Sequence, residues 1–355
     1  MSHTFRHQLI QWARCVAIFP ILAACASESR DEGAALATTT EGLEADSSQV
    51  SVTLTTNKTS FAAQDALSVT VTLTNGADHA VRLLSWKTPV NGIDEPLFSV
   101  TRDGMPVGYV GRVYKRAAPR AEDYVVLAPG ESLARTVDLA EAYDVQATGN
   151  YVVHYRTDFG SNDVRLFVEG RPSLRTKRAP TIGTAHFRGC SAREEVTLRE
   201  AHIESLVIAR DATSYLDQQR SATPRYESWF GTWTPDRHST VRDHFTKITN
   251  ALDDEDFVFD CAGPQCKPGV FAYVYANEAG TIYFCDAFWN APLVGTDSQS
   301  GTIVHETSHF DVIAATRDHA YGQDACRALA TSDPDVAVTN ADSHEYFVEN
   351  NPPLE

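Results

Sequence analysis

His305, Glu306 and His309 stand in the order H-E-x-x-H inside Gly301–Gly322, GTIVHETSHFDVIAATRDHAYG. On a helix the two histidines fall one turn apart on one face. Two imidazoles at that spacing can ligate a zinc ion, and a glutamate beside the first can hold a proton next to it. Catalytic zinc also needs a third protein ligand. Glu345, Glu349, Asp318 and His319 are candidates for it. Asp311 follows His309 by two residues and points to the other helix face. Spacing does not choose between Asp318 and His319.

The rest of the chain must supply the scaffold that positions such a site. At 355 residues the chain is long for one core, so two domains are expected. With 43% hydrophobic and 22% charged residues it belongs with folded globular proteins. A net charge of -17 argues against nucleic acid as a partner, which requires a basic face. Arg6 and Arg14 flank a short apolar run, Cys15–Ala24, too short to span a bilayer, which reads as the core of a signal peptide over residues 1–24. Its end, Leu22-Ala23-Ala24-Cys25, resembles the lipobox of bacterial lipoproteins. That resemblance implies cleavage before Cys25 and a lipid on its thiol, the only membrane contact expected. Ala26, where Asp would retain a lipoprotein at the inner membrane, points to the outer membrane or cell surface.

Residues 25–48 have a tether's composition, rich in Ala, Ser, Thr and acidic residues. In residues 49–168, Val50/Val52/Leu54, Leu67/Val69/Val71/Leu73 and Tyr151/Val153/Tyr155 alternate with their neighbours, and Asn75-Gly76, Asp103-Gly104 and Pro129-Gly130 mark turns. The expectation is an all-β immunoglobulin-like sandwich without a catalytic cluster, His79 and His154 being isolated. Residues 169–184 are basic and Pro-punctuated, a linker and candidate processing site. From residue 185 the pattern turns to a mainly helical α+β domain. Ser191 and Glu194 form a capping box, Pro224 closes the first helix, and a second helix runs Pro235–Leu252. Short strands follow at Phe257–Phe259, Val270–Tyr275 and Thr281–Phe284, the last two as a hairpin. The metal helix is expected over Thr302–Ile313 and a last helix over Asp333–Glu349.

Val312 and Ala315 stand where a metzincin carries Gly and a third His, which excludes that class. Thr316-Arg317-Asp318-His319-Ala320-Tyr321-Gly322 instead resembles the second motif of the aspzincins, the deuterolysin family of zinc endopeptidases. Likeness to their peptidyl-Lys branch extends from about Gly189 to Pro352. It includes Trp229-Phe230-Gly231, Phe271-Ala272-Tyr273-Val274-Tyr275, Gly295-Thr296-Asp297-Ser298-Gln299 and Asn340-Ala341-Asp342-Ser343-His344-Glu345-Tyr346-Phe347. Ala315 departs from it, since the family has Gly there.

The resemblance implies a zincin-type metalloprotease domain over residues 185–355 with one Zn2+ on His305, His309 and Asp318. It gives Glu306 the role of general base and Tyr321 that of steadying the transition state. Asp342 and Glu345, three apart on a helix face, become an acidic pocket for the lysine that follows the cut bond. Disulfides Cys190–Cys261 and Cys266–Cys285 are implied too, leaving Cys326 unpaired and buried. Export permits such bonds. The function expected is a secreted or surface-anchored endopeptidase that cuts protein or peptide substrates on the amino side of lysine. The β-region is then a propeptide, and Lys177 in the linker a candidate for self-cleavage. The rival reading is a surface lipoprotein that binds through its sandwich and carries a degenerate, inactive peptidase fold.

Overall fold

Alternation of apolar and polar residues sends every second side chain of the early strands into one core. The computed structural model describes residues 49–354 other than 63–64, 146, 157–159 and 171–184. The export segment, Cys25, the tether and nearly all of the linker, Lys177 included, therefore lie outside the described residues. Among those described, eleven strands come before residue 170. They are β1 (Val50–Thr55), β2 (Ser60–Phe61), β3 (Ser68–Asn75), β4 (Val81–Leu84), β5 (Phe98–Arg102) and β6 (Met105–Pro106), then β7 (Arg112–Arg116), β8 (Tyr124–Leu127), β9 (Ser132–Asp138), β10 (Gly149–Tyr155) and β11 (Val164–Val168). They form sheets ordered β1-β3-β9 and β2-β11-β10-β5-β6 and a β4-β8 pair. In β3 Val69, Val71 and Leu73 are buried, and in β10 Tyr151, Val153 and Tyr155 join them in the same core.

After β12 (His186–Arg188) the chain becomes mainly helical: α1 (Ala192–Gln218), α2 (Pro224–Phe230) and α3 (Pro235–Asp254). Then come β13 (Val258–Asp260), β14 (Val270–Tyr275), β15 (Thr281–Phe284), α4 (Asp286–Asn290), α5 (Gln299–His309), α6 (Gln323–Ser332), α7 (Pro334–Ala337) and α8 (Ala341–Glu349). The Ser191–Glu194 capping box is formed in both directions, with Ser191 N donating to Glu194 Oε2 at 2.6 Å. Pro224 opens α2 behind the Thr223 cap and does not close α1, because a first-turn proline has no N–H to lose. The last expected helix is divided into α7 and α8, with residues 338–340 between them. The metal helix starts at Gln299 and stops at His309, short of the expected Ile313. Cys190–Cys261 and Cys266–Cys285 are bonded, and Cys326 is free and buried. Among the described residues no helix is long and apolar enough to cross a membrane.

Two features position the site. First, every residue of α5 is buried, against α1, α3, α8 and β14. A Cβ at Gly301 would fall 2.2 Å from Glu349 Oε1, so a larger residue there would displace the carboxylate that Ser298 holds between α5 and α8. Second, the helical region's sheet is ordered β12-β13-β15-β14-β7, so its edge strand comes from the β-rich region. β7 runs antiparallel to β14 with Val113 opposite Val274, Tyr114 opposite Tyr273 and Lys115 opposite Ala272. An edge strand leaves unpaired backbone groups, and β7 satisfies those of β14.

Candidate metal centre and active site

Ser298 caps α5 by accepting from Gly301 N at 2.9 Å. Helical spacing then brings His305 and His309 together, with their Nε2 atoms 3.1 Å apart. Past His309 the chain doubles back. Ala315 has φ +51, the left-handed conformation that the glycine of the resembled motif would take without strain. The cost for a non-glycine residue is about 1–2 kcal/mol. Ala315 N donates to Phe310 O at 3.1 Å and Thr316 N to Ser308 O at 3.1 Å, which fixes the turn. Arg317 then joins Asn340, and the Asn340 side chain accepts from His319 N and Ala320 N at 2.9 and 3.0 Å.

The turn delivers Asp318 to the two histidines. Its Oδ1 lies 3.2 Å from His305 Nε2 and 3.4 Å from His309 Nε2. Both Asp318 oxygens are buried without a hydrogen-bond donor of good geometry among the described residues. A buried carboxylate in that state is costly unless a cation completes it. His309 Nδ1 faces Thr316 O at 3.1 Å, which sets its tautomer and turns the Nε2 lone pair towards Asp318. His305 Nδ1 lies 3.0 Å from both Asp342 Oδ1 and Glu345 Oε2. Two nitrogens and a carboxylate oxygen converging at these distances suit zinc. His319 is turned away, its Nε2 3.2 Å from Thr339 Oγ1. Asp311 pairs with Arg317.

Glu306, on the same helix, is fully buried. Burial pushes its carboxyl up to about 8, against the pull of His305. Its Oε1 accepts from the backbone N of Lys115 at 3.2 Å. The Tyr321 hydroxyl lies 3.0 Å from the carbonyl oxygen of Tyr114, 2.9 Å from Glu95 Oε1 and 2.9 Å from Arg116 Nη1, which donates to it. The peptide bond between Tyr114 and Lys115 therefore has Glu306 at its nitrogen and Tyr321 at its carbonyl.

The Lys115 side chain is 0% exposed. Its Nζ lies 2.8 Å from Glu345 Oε2, 3.2 Å from Asp342 Oδ1 and 3.2 Å from Asp297 Oδ1, and 5.5 Å from the ring centroids of Phe271 and Tyr346. Burial alone would drive an ammonium to lose its proton, but Asp342 and Glu345 outweigh it and hold the Lys115 pKa well above the usual value. Asp342 also accepts from Gly322 N at 2.8 Å.

His305, Glu306, His309, Asp318, Tyr321, Asp342 and Glu345 are thus in one buried cluster. Three others, Glu95, Lys115 and Arg116, come from the region that showed no catalytic cluster, and Asp297 was only part of a quoted motif. The one local signal is that Lys115 shares a strand face with Val113, in a strand whose residues 113–116 are all buried.

Residues 215–349 match the family model Aspzincin_M35, described as lysine-specific metallo-endopeptidase. An extracellular protease of Aeromonas hydrophila is 38% identical, over 81% of this chain and 89% of that protein. A peptidyl-Lys metalloendopeptidase of Grifola frondosa is also 38% identical, over 81% of this chain and 88% of that protein. A solved zinc peptidase from Grifola frondosa is 49% identical, covers 47% of this chain and all of its own length, and has a TM-score of 0.44. A buried H-E-x-x-H helix facing a third acidic donor, in a chain with these relatives, defines a zinc metalloendopeptidase. The chain belongs to the lysine-specific metallo-endopeptidase family, the aspzincins.

Proposed function

We propose that this enzyme hydrolyses peptide bonds on the amino side of lysine, using one Zn2+ held by His305, His309 and Asp318, and that its own β-rich region keeps it latent. One observation carries the reading: Lys115 lies with its ammonium against Asp342 and Glu345 while its amide nitrogen meets Glu306. That is the register of a substrate whose lysine follows the cut bond. The name of the Grifola frondosa relative supports the same preference.

Zinc, when bound, polarises the carbonyl and acidifies water. Glu306 accepts a proton from the attacking water and passes it to the leaving amine. Its 3.2 Å contact with Lys115 N marks where that amine forms. Tyr321 donates to the oxygen that becomes negative, as its 3.0 Å distance from Tyr114 O indicates. Asp342 and Glu345 hold the lysine in place. Water adds across the C–N bond, leaving a carboxylate on one product and a new N-terminal lysine on the other.

Residues 49–168, with an immunoglobulin-like sandwich, are then a propeptide domain joined by the 169–184 linker to the peptidase domain at 185–355. β7 fills the cleft by β-strand addition, and Glu95 and Arg116 engage Tyr321. The signal peptide over residues 1–24 and a lipid on Cys25 put the protein at the outer membrane or cell surface, from which the mature protease is released extracellularly. The degenerate-peptidase alternative is not favoured, since His305, Glu306, His309, Asp318 and Tyr321 are all present and gathered.

The test is to cut the purified chain within residues 169–184, add zinc and digest a peptide library. New N-termini should be lysine, and a chelator should stop their appearance. New ends indifferent to residue type would overturn the lysine reading.

A further inference from the structure

We infer that Asp297 is a specificity-determining residue, the third carboxylate of the lysine pocket and the one that reads the ammonium without also touching His305. This rests on the lysine-directed reading above. A primary ammonium carries three N–H donors around a single point. Around Lys115 Nζ stand three separate carboxylates, from Asp297, Asp342 and Glu345. A planar guanidinium prefers one carboxylate taken by two parallel bonds. Three single oxygens converging on a point suit lysine better than arginine.

The three carboxylates are not equivalent. Asp342 Oδ1 and Glu345 Oε2, which face Lys115 Nζ, are the same atoms that lie 3.0 Å from His305 Nδ1. They serve the ammonium and orient a metal-side histidine together. Asp297 takes part in neither contact with His305. Its side chain is 32% exposed where the other two are 0%, so it stands at the pocket's mouth and meets an entering lysine first.

Its backbone has a non-glycine φ of +52, a conformation that persists only where the surroundings over-determine it. Here Asp297 N and Ser298 N donate to Glu349 at 3.2 and 2.8 Å, and Ser298 Oγ does so at 2.7 Å. Tyr346 OH donates to Asp297 Oδ1 at 2.8 Å, aiming the same oxygen that receives Lys115. Strain and two buried supports are spent on presenting one carboxylate.

The test is Asp297→Asn in the full chain, activated by cutting within residues 169–184. Asparagine keeps the size and the acceptor for Tyr346 while removing the charge. Expected is a fall of about 10–100-fold in kcat/KM before lysine, carried mainly by KM, as for loss of a hydrogen bond to a charged group. Cleavage before arginine should change far less, and bound zinc should equal that of the parent. Asp342→Asn, run alongside, should lower both lysine cleavage and zinc content. In Glu306→Gln protein, Asp297→Asn should weaken binding of a lysine peptide by a similar factor. An unchanged KM and peptide affinity would overturn the inference. So would loss of zinc in Asp297→Asn, which would make it a support of the α5 N-terminus. If the parent enzyme does not cut before lysine at all, the lysine reading itself fails and takes this inference with it.

Discussion

Lys115 Nζ and Glu345 Oε2 lie 2.8 Å apart with both side chains fully buried. A charge pair so deep repays its desolvation only when both partners are present and well coordinated. Removing Lys115 takes the ammonium from three carboxylates at once, two of them fully buried.

Lys115→Ala in the full chain should therefore have two effects. The β-rich region should lose about 3–5 kcal/mol of its hold on the rest, read as a lower urea midpoint. The cleft should also open, so that the variant cuts a lysine-containing peptide without processing of the linker. A variant as silent as the parent would show that Lys115 does not maintain latency.

Glu306→Gln and Tyr321→Phe separate two steps. Losing the base should cost about 10²–10⁴ in kcat. Losing the phenol should cost about 10²–10³, as for an oxyanion donor. Neither residue is among the proposed zinc ligands, so both variants should bind zinc as the parent does. Steady-state kinetics with metal analysis checks this, and kcat at the parent level in Tyr321→Phe would remove that residue from the mechanism.

Zinc should stabilise the fold through His305, His309 and Asp318. At a free concentration one hundred times Kd, the gain is about 2.7 kcal/mol. Calorimetry of chelated and zinc-loaded protein should show the melting temperature rise. Asp318→Asn should lose most of that rise, and an undiminished rise would place the ion elsewhere.

Between α3 and α8, His244 Nδ1 and His344 Nε2 are 3.1 Å apart. His344 Nδ1 faces Asn340 O at 2.9 Å, so His344 carries its proton there and accepts from His244, both rings being neutral. Burial lowers His244 to about 4 and His344 to about 3. The unfolded chain takes up these protons first, near pH 6.5. The pair's contribution is thus complete above pH 6.5 and declines as pH falls towards 4. Urea midpoints across that window should slope less for His244→Gln than for the parent. Parallel slopes would show that the pair does not titrate there.

Much of the site was legible because it is local. His305, Glu306 and His309 share a helix whose period alone sets their relative placement, and Asp342 and Glu345 share another. Ala315 stands out only against the resembled family, which has Gly there, and its left-handed turn is seen in the structure. Helix ends were read less well. In the sequence Pro224 reads as the end of α1, whereas it opens α2, since proline is accommodated in a first turn as readily as it marks an end. Asp318 was one of several candidates on spacing. What brings it to the histidines is the return of Thr316 to Ser308 and the grip of Asn340, neither of which a period can express.

By itself the sequence determined the chemistry available: an H-E-x-x-H helix, an acidic face on another helix, and a β-rich segment ahead of them. Only the tertiary structure decided that the Lys115 ammonium lies against Asp342, Glu345 and Asp297. Lys115 and Glu306 are 191 positions apart. Which strand pairs with the free edge of β14 depends on backbone groups left unsatisfied in three dimensions, and nothing in the local pattern of β7 records that partner.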